Sequence, residues 1–379
     1  MKTGILLPRS TFHPVLQYDL LAGCQTYLKS CNAEIEIVTA NIGFGTDTST
    51  VQQHAEQLLL EQGVDVLIAY ADQETMLQVA NLARAANKLL IMVHPGARYL
   101  HPWEPHPNTI SHTLHHQLCC KYTGAFAAQQ TKAAAFTSSF FDAGFPISHS
   151  LMEGYTRAEG MIQYNYISKY KIAEFDISPL IDFLHNNPSV SSLLSLFNGD
   201  LAHHFLKLLS ESKIPGLNIY AGPFMLDDAL PAAYGALNLP FSLQGYTPWA
   251  AGIDLPANKL FLETCRKEIN RNINSFTMLG WTTGQLLEFI LRNASAHQFN
   301  PGAVISSLEM MHIDSPRGAL QFDKDTHHTL APIWFANTDQ HLHVNVENAI
   351  DDILPSWNQL VEEVKGVVTA HWLNSYPCA

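Results

Sequence analysis

The feature that most constrains this chain is a rhythm. Short apolar runs alternate with longer segments whose apolar residues recur at helical spacing. Gly4–Leu7, Asp65–Ala69 and Leu89–Val93 are apolar almost throughout, and Glu34–Ala40 alternates with Ile35 and Ile37 on one face. Between them, Val15–Leu28, Thr48–Gln62 and Gln73–Asn87 read as helices, the second capped by Thr or Ser. A strand that is apolar on both faces has to be covered on both faces. This order therefore predicts a parallel, doubly wound sheet.

A Pro- and His-rich loop, Arg98–Asn108, interrupts the rhythm, which then restarts. Helices Leu114–Gln130, Ile147–Tyr164, Pro179–Asn186 and Ala202–Ser212 alternate with strands Ala133–Thr137, Tyr166–Ala173, Ser192–Phe197 and Asn218–Gly222. The pattern repeats; the sequence does not. Beyond Phe241 the order changes. Ser242–Trp249 is extended, and Pro256–Asn270 and Phe276–Ala294 are helices. Met311–Ile313, Ala319–Phe322, Pro332–Ala336 and His341–Val346 read as short antiparallel strands, and Trp357–Val368 as a closing helix.

Composition narrows the function. The chain has 379 residues, enough for two large lobes. Lys plus Arg is 21 against 34 Asp plus Glu, a formal charge of −13, which disfavours nucleic acid and anionic membrane surfaces. No apolar run reaches the roughly 18 residues of a membrane-spanning helix, so no membrane insertion is expected. Cys24, Cys31, Cys119, Cys120, Cys265 and Cys378 show no CxxC spacing and read as scattered thiols. Met1-Lys2-Thr3 leads directly into the first strand. The compartment is cytoplasmic if Met1 is the native start, and periplasmic or extracellular if a signal peptide has been removed.

Several motifs suggest chemistry without supplying its context. Asp323-Lys324-Asp325-Thr326 spells a phosphotransferase DxDxT, but it follows a Ser315-Pro316-Arg317-Gly318 turn among hairpins and reads as a polar loop. No GxGxxG, Walker or GxSxG pattern occurs. His112, His115 and His116 fall at a spacing that would place them on one helix face, and His203-His204, His327-His328 and His341/His343 add pairs, so a metal carrier is an alternative. Satisfied or exposed imidazoles are the simpler account. No nucleophile with an attendant base is identifiable, and no catalytic residue or cofactor is assigned.

In open α/β sheets, ligands sit beyond the carboxyl ends of the strands. Those ends carry loops that mix aromatic rings with hydroxyl, amide and carboxylate groups, a combination suited to a small polar ligand. Phe12, Tyr70, Phe140, Phe141 and Phe224 are candidate walls. Ser10, Asp72, Gln73, His94, Gly96, Ala97, Asn198 and Asp200 are candidate hydrogen-bonding or close-approach positions.

Together these features resemble the type I periplasmic binding fold, in its Leu/Ile/Val-binding and amide-sensor branch. The carriers are Gly4-Ile5-Leu6-Leu7-Pro8, the strand–helix pair Val64–Ile68 with Ala80–Ala86, the Phe276–Leu291 helix, and Asp314–Asp323 with its late Gly-x-hydrophobic-x-Phe-Asp turn. The resemblance implies two doubly wound parallel-sheet lobes joined by a three-strand hinge. Lobe I would comprise 1–111 and 247–317, and lobe II 112–246 and 318–379. The crossings would lie near Thr109–Thr113, Gln244–Pro248 and Arg317–Leu320.

It also implies a non-enzymatic protein that closes on a small solute, serving an ABC transporter permease or a regulatory partner. The family's Gly-Pro-x-Ser-Ser loop is replaced here by Tyr70-Ala71-Asp72-Gln73-Glu74. An amide, amine or aromatic compound is therefore as well suited as an amino acid. An enzyme on a related two-lobed scaffold is the remaining alternative.

Overall fold

The computed structural model describes residues 1–71, 73–96, 105–139, 144–294 and 299–365. The first rhythm builds β1 (Lys2–Leu7), α1 (Leu16–Ser30), β2 (Glu36–Asn41), α2 (Thr48–Glu56), β3 (Val66–Ala69), α3 (Gln73–Ala85), β4 (Leu89–His94) and β5 (Thr109–Thr113). The second builds α4 (His116–Gln130), β6 (Ala133–Ser139), α5 (Gly144–Arg157), β7 (Met161–Ser168), α6 (Ser178–Asn186), β8 (Ser192–Leu196), α7 (Gly199–Glu211), β9 (Asn218–Ala221), α8 (Ala229–Tyr234) and β10 (Leu243–Thr247). The remainder supplies α9 (Pro256–Glu268), α10 (Ser275–Ala294), α11 (Pro301–Leu308), β11 (Ile313–Ser315), β12 (Gly318–Asp323), β13 (His328–Leu330), β14 (Ile333–Thr338), β15 (Val344–Ile350) and α12 (Leu354–Val364).

These strands form two sheets. The first has the order β11-β12-β13-β5-β4-β3-β1-β2, the second β15-β14-β10-β9-β8-β6-β7. Strands β1 to β5 pair in parallel, as do β6 to β10; the late strands add antiparallel edges. Val66, Leu67, Leu89, Leu90 and Ile91 have no exposed surface, as strands covered on both faces require. Two helix pairs approach closely, α1 on α10 and α4 on α5.

Several elements depart from the sequence reading. The helix expected over Ile147–Tyr164 ends at Arg157, and the next strand begins at Met161 rather than Tyr166. Glu159 takes a left-handed φ of 66°, the Gly160 amide donates to the Tyr155 carbonyl at 2.9 Å, and the Tyr155 ring lies where a Gly160 side chain would project. The helix therefore stops there. Met161–Ser168 pairs with β6 instead, with Ile162, Tyr164 and Tyr166 less exposed than their neighbours. The cap of α2 is Asp47, which accepts from the Ser49 amide, rather than Thr or Ser.

The chain passes between the sheets after β5, after β10 and after β13. The resemblance puts the third passage near Arg317–Leu320. Residues 318–330 instead remain in the first sheet, where β12 pairs with β13 and β13 runs parallel to β5 through His328 and Ser111. The chain stays in that sheet past Leu320 because β12 and β13 form a further pair before it leaves.

Cys24, Cys31, Cys119, Cys120 and Cys265 are free thiols, and Cys378 lies outside the described residues. Among the described residues no helix is long and apolar enough to cross a membrane.

Candidate ligand cleft

The strand ends of the two sheets face a common seam, and loops from both sides meet there. After β1 the chain turns through Ser10, whose Oγ accepts from the His13 amide at 2.9 Å and fixes the loop. That turn delivers His13 into a ring cluster. Its imidazole lies 4.7 Å from the ring of Phe224, beyond β9, and 5.0 Å from that of Phe276, in the first turn of α10. Phe224 also stands 4.5 Å from His116, edge to face. Tyr70, at the end of β3, lies 6.3 Å from Phe276 and is wholly buried in the core of the first lobe.

Lobes exchange side chains at the seam. Phe224 follows a strand of the second sheet yet packs in the core of the first lobe. Phe12 follows a strand of the first sheet yet packs against the core of the second. The Phe12 carbonyl accepts from the Tyr234 hydroxyl at 3.4 Å and rests over Gly199, where a Cβ would lie 2.5 Å from the Phe12 oxygen. Asp227, next to the turn that carries Phe224, accepts from the Ser275 hydroxyl at 2.7 Å and its amide at 3.1 Å, so it caps α10 from the opposite side.

The imidazoles here are neutral. Burial alone holds His13 down to about 4, and His116 down to about 3 with smaller contributions from nearby positive groups. His13 Nε2 and both ring nitrogens of His116 have no hydrogen-bond partner among the described residues. His116, Asn198, Gly222 and Phe224 help line one small cavity; His94, Gly96, His115 and Gln117 help line another.

The candidates from sequence are distributed as follows. Phe224 and Asn198 share a cavity, with Asn198 preceding α7. Phe12 bridges the lobes and Ser10 orders the loop that presents His13. His94 Nδ1 accepts from the Gly96 amide at 3.1 Å, and the Pro95 and Gly96 carbonyls take the His116 and Gln117 amides at the start of α4. Asp200 is exposed in the first turn of α7, a position that suits a carboxylate electrostatically without bringing it to the cluster. Asp72, Ala97, Phe140 and Phe141 lie outside the described residues, as does the side chain of Gln73.

The expected three-histidine helix face does not exist. His112 belongs to β5 and bonds to Thr329 and Thr282; His115 precedes α4 with a left-handed φ of 54° and bonds to Thr113 and the Thr329 carbonyl; only His116 is helical. Among the described residues no group of three or more His, Cys, Asp or Glu could hold a metal ion. The DxDxT aspartate, Asp323, accepts from Thr326 at 2.5 Å and from the Trp357 indole at 3.2 Å and anchors α12.

Sequence reasoning names His116 only as a metal-ligand candidate and does not single out His13 or Phe276 as walls. His13 adjoins a chosen residue, and Phe276 opens a helix already recognised as strongly apolar on one face.

Two α/β lobes with a ring-lined seam and three passages between them define the two-lobed binding proteins. A family model described as "Periplasmic binding protein" matches residues 1–341, and the chain belongs to that family. No curated protein sequence matches it. Among solved structures, an ABC transporter substrate-binding protein from Sphaerobacter thermophilus superposes with a TM-score of 0.77 at 14% identity over 93% of this chain and 98% of that one. A solute-binding protein of an ABC transporter from Rhodopseudomonas palustris BisB5, in complex with 3,4-dihydroxybenzoic acid, gives 0.75 at 17% over 93% and 97%. A branched-chain amino acid transporter substrate-binding protein from Streptococcus pneumoniae, in complex with isoleucine, gives 0.72 at 13% over 93% and 99%.

Proposed function

We propose that this protein is a non-enzymatic receptor for a small solute with an apolar, preferably planar body. The solute is held between lobes that close by rotation about the three passages. We assign to one lobe the described residues of 1–113 and 248–330, and to the other those of 114–247 and 331–365. The observation that carries the reading is the ring cluster. His13 and Phe276 from one lobe and Phe224 from the other touch across the seam, so a flat ligand admitted when the lobes part would touch both sides. A ligand that contacts both lobes favours the closed state by its extra affinity for it. The 3,4-dihydroxybenzoic acid and the isoleucine bound by similar structures each carry a compact apolar body.

Ser10 and Asn198 supply polar contacts, while Phe12 and Gly199 form the closing contact. The closed form is then read by a membrane permease of the ABC type, with a regulatory protein as the alternative reader. A thermal-shift and calorimetry panel of aromatic acids, branched-chain amino acids and their amides tests the binding. Small-angle scattering tests the closure, and chromatography of the incubated ligand tests for turnover. Saturable binding, a smaller radius of gyration and unchanged ligand are the expected results. Appearance of product sinks the non-enzymatic reading.

A further inference from the structure

Arg317 lies in the hairpin between β11 and β12, beside the third passage, and has no exposed surface. Its backbone is fixed: the carbonyl accepts from the Trp334 indole at 2.9 Å, and the flanking Ser315 hydroxyl donates to the Gly318 carbonyl. Its side chain is unsatisfied. Nε, Nη1 and Nη2 are all buried, and none has a hydrogen-bond partner among the described residues. A buried guanidinium with no acceptor costs several kcal/mol, far more than ordinary packing returns.

Among the described residues nothing around it neutralises it. The charge of Arg317 acts on His112, His115, His116 and Cys119. Burial holds all three imidazoles uncharged and pushes the Cys119 thiol up, so no thiolate forms at neutral pH. At the start of α4, Gln117 Nε2 and both ring nitrogens of His116 also lack partners among the described residues. His116 is shared with the ring cluster, and His115 and Gln117 with the cavity below His94. The start of α4 thus gathers buried donors beside the cleft, and among the described residues the Arg317 guanidinium whose charge reaches them has no acceptor.

We propose that Arg317 is the counter-ion for a carboxylate carried by the cleft solute, which reaches the hinge end while its apolar body rests among His13, Phe224 and Phe276. This inference rests on the solute-binding reading. A carboxylate fits better than a phosphate for three reasons. The guanidinium fork matches its two oxygens. A single positive charge among neutral rings balances a monoanion. And the first amides of α4, which could otherwise cradle a phosphate, are already donated to Pro95 and Gly96.

The test compares benzoate with benzamide, and leucine with leucinamide, by calorimetry on wild type, Arg317→Met and Arg317→Lys at constant ionic strength. Wild type is expected to prefer the carboxylate of the pair it binds by at least about tenfold, on the scale of a charge-assisted hydrogen bond. Arg317→Met should abolish that preference and retain the amide affinity, with Arg317→Lys between them. Without ligand, Arg317→Met should melt no lower than wild type, because it removes an uncompensated charge; circular dichroism checks its fold.

Equal wild-type affinity for acid and amide overturns the inference while leaving the solute-binding reading intact. So does a parallel loss of both in Arg317→Met. Stabilisation by sodium chloride that depends on Arg317, without any response to carboxylates, also overturns it. If none of the four compounds binds wild type at millimolar concentration, the solute-binding reading falls and the inference with it.

Discussion

In the first lobe, α1 lies so close to α10 that a methyl group on Gly23 would sit 2.0 Å from the Thr277 carbonyl oxygen. In the second, a methyl on Gly124 of α4 would sit 2.1 Å from the Leu151 carbonyl of α5. Both lobes therefore join helices through backbone-to-backbone approach that only glycine permits. They differ in what the helix pair buries. Asp19 of α1 is fully buried and accepts from Asn274 at 2.7 Å and Arg271 at 2.9 Å, at the entrance to α10. That polar network sits beside Ser275 and Phe276, which face the cleft. The α4–α5 pair is apolar at its centre, around Cys120, Leu151 and Tyr155. The comparison teaches a division of labour. Rigid packing is common to both lobes, whereas the polar order that positions a cleft wall belongs to the first.

The largest effect should come from the shared feature. Gly23→Ala and Gly124→Ala should each lower the unfolding free energy by about 3 kcal/mol, because the new methyl meets backbone that cannot move aside. Urea denaturation measures this. Loss in only one of the two variants would break the equivalence of the lobes.

Acid should expose the difference in titration. The His13 and His116 values are depressed in the folded protein, to about 4 and about 3, against an ordinary value of 6.5. The unfolded chain therefore takes up protons first as the pH falls. Stability is full above about 6.5 and declines below it, by up to about 3 kcal/mol for His13 and about 5 kcal/mol for His116 at full titration. Asp19 and Asp228 act with the opposite sign. Burial raises both, so their contribution is greatest at low pH and fades as the pH rises through the raised values. The imidazoles outnumber them, since His112, His115 and His328 are depressed too, and the net change below 6.5 should be loss. Melting temperatures from pH 7.5 to 5 should fall, and His13→Asn should flatten the slope. An unchanged slope would mean that His13 is solvated in solution.

At the cleft itself, Phe224→Ala should weaken binding of whichever ligand the panel identifies by about 2 kcal/mol, from lost ring contact. Phe224 and Phe276 both pack in the first-lobe core, but Phe276 also lies inside α10, so Phe276→Ala should cost about 3–5 kcal/mol of stability as well. Calorimetry set beside denaturation separates a wall that binds from one that also supports.

Much of this architecture was legible before any coordinates. Period and apolarity located the parallel strands because burial on both faces leaves little choice of residue. The failures share one physical origin, which is that spacing along the chain does not report spatial partners. Ile147–Tyr164 looked helical until a left-handed Glu159 and the Tyr155 ring ended it. The crossing that the resemblance puts near Arg317–Leu320 falls later, because nothing local says that β12 pairs with β13 rather than leaving the sheet. In the site, the aromatic loop residues were visible as types. The convergence of His13, His116 and Phe276 was not, since it depends on loops that meet only when two lobes are placed together. Arg317 read as a turn residue because the absence of a partner is a property of three dimensions.

The smallest expected effect tests the contact between lobes rather than either lobe. Gly199 opens α7 with a φ of 53°, and its Cα sits under the Phe12 carbonyl. Alanine there pays about 1 kcal/mol for the left-handed backbone. Its methyl must also push the Phe12 loop away, because a Cβ at 2.5 Å from that oxygen is far inside contact distance. The backbone strain is present whether the lobes are open or closed. The clash exists only when they are closed. Gly199→Ala should therefore lower the melting temperature slightly in the absence of ligand, yet lower ligand affinity by more than the stability change accounts for, with a larger radius of gyration in scattering. If affinity and stability fall together by the same amount, Phe12 and Gly199 pack as part of one body, and closure turns about some other contact.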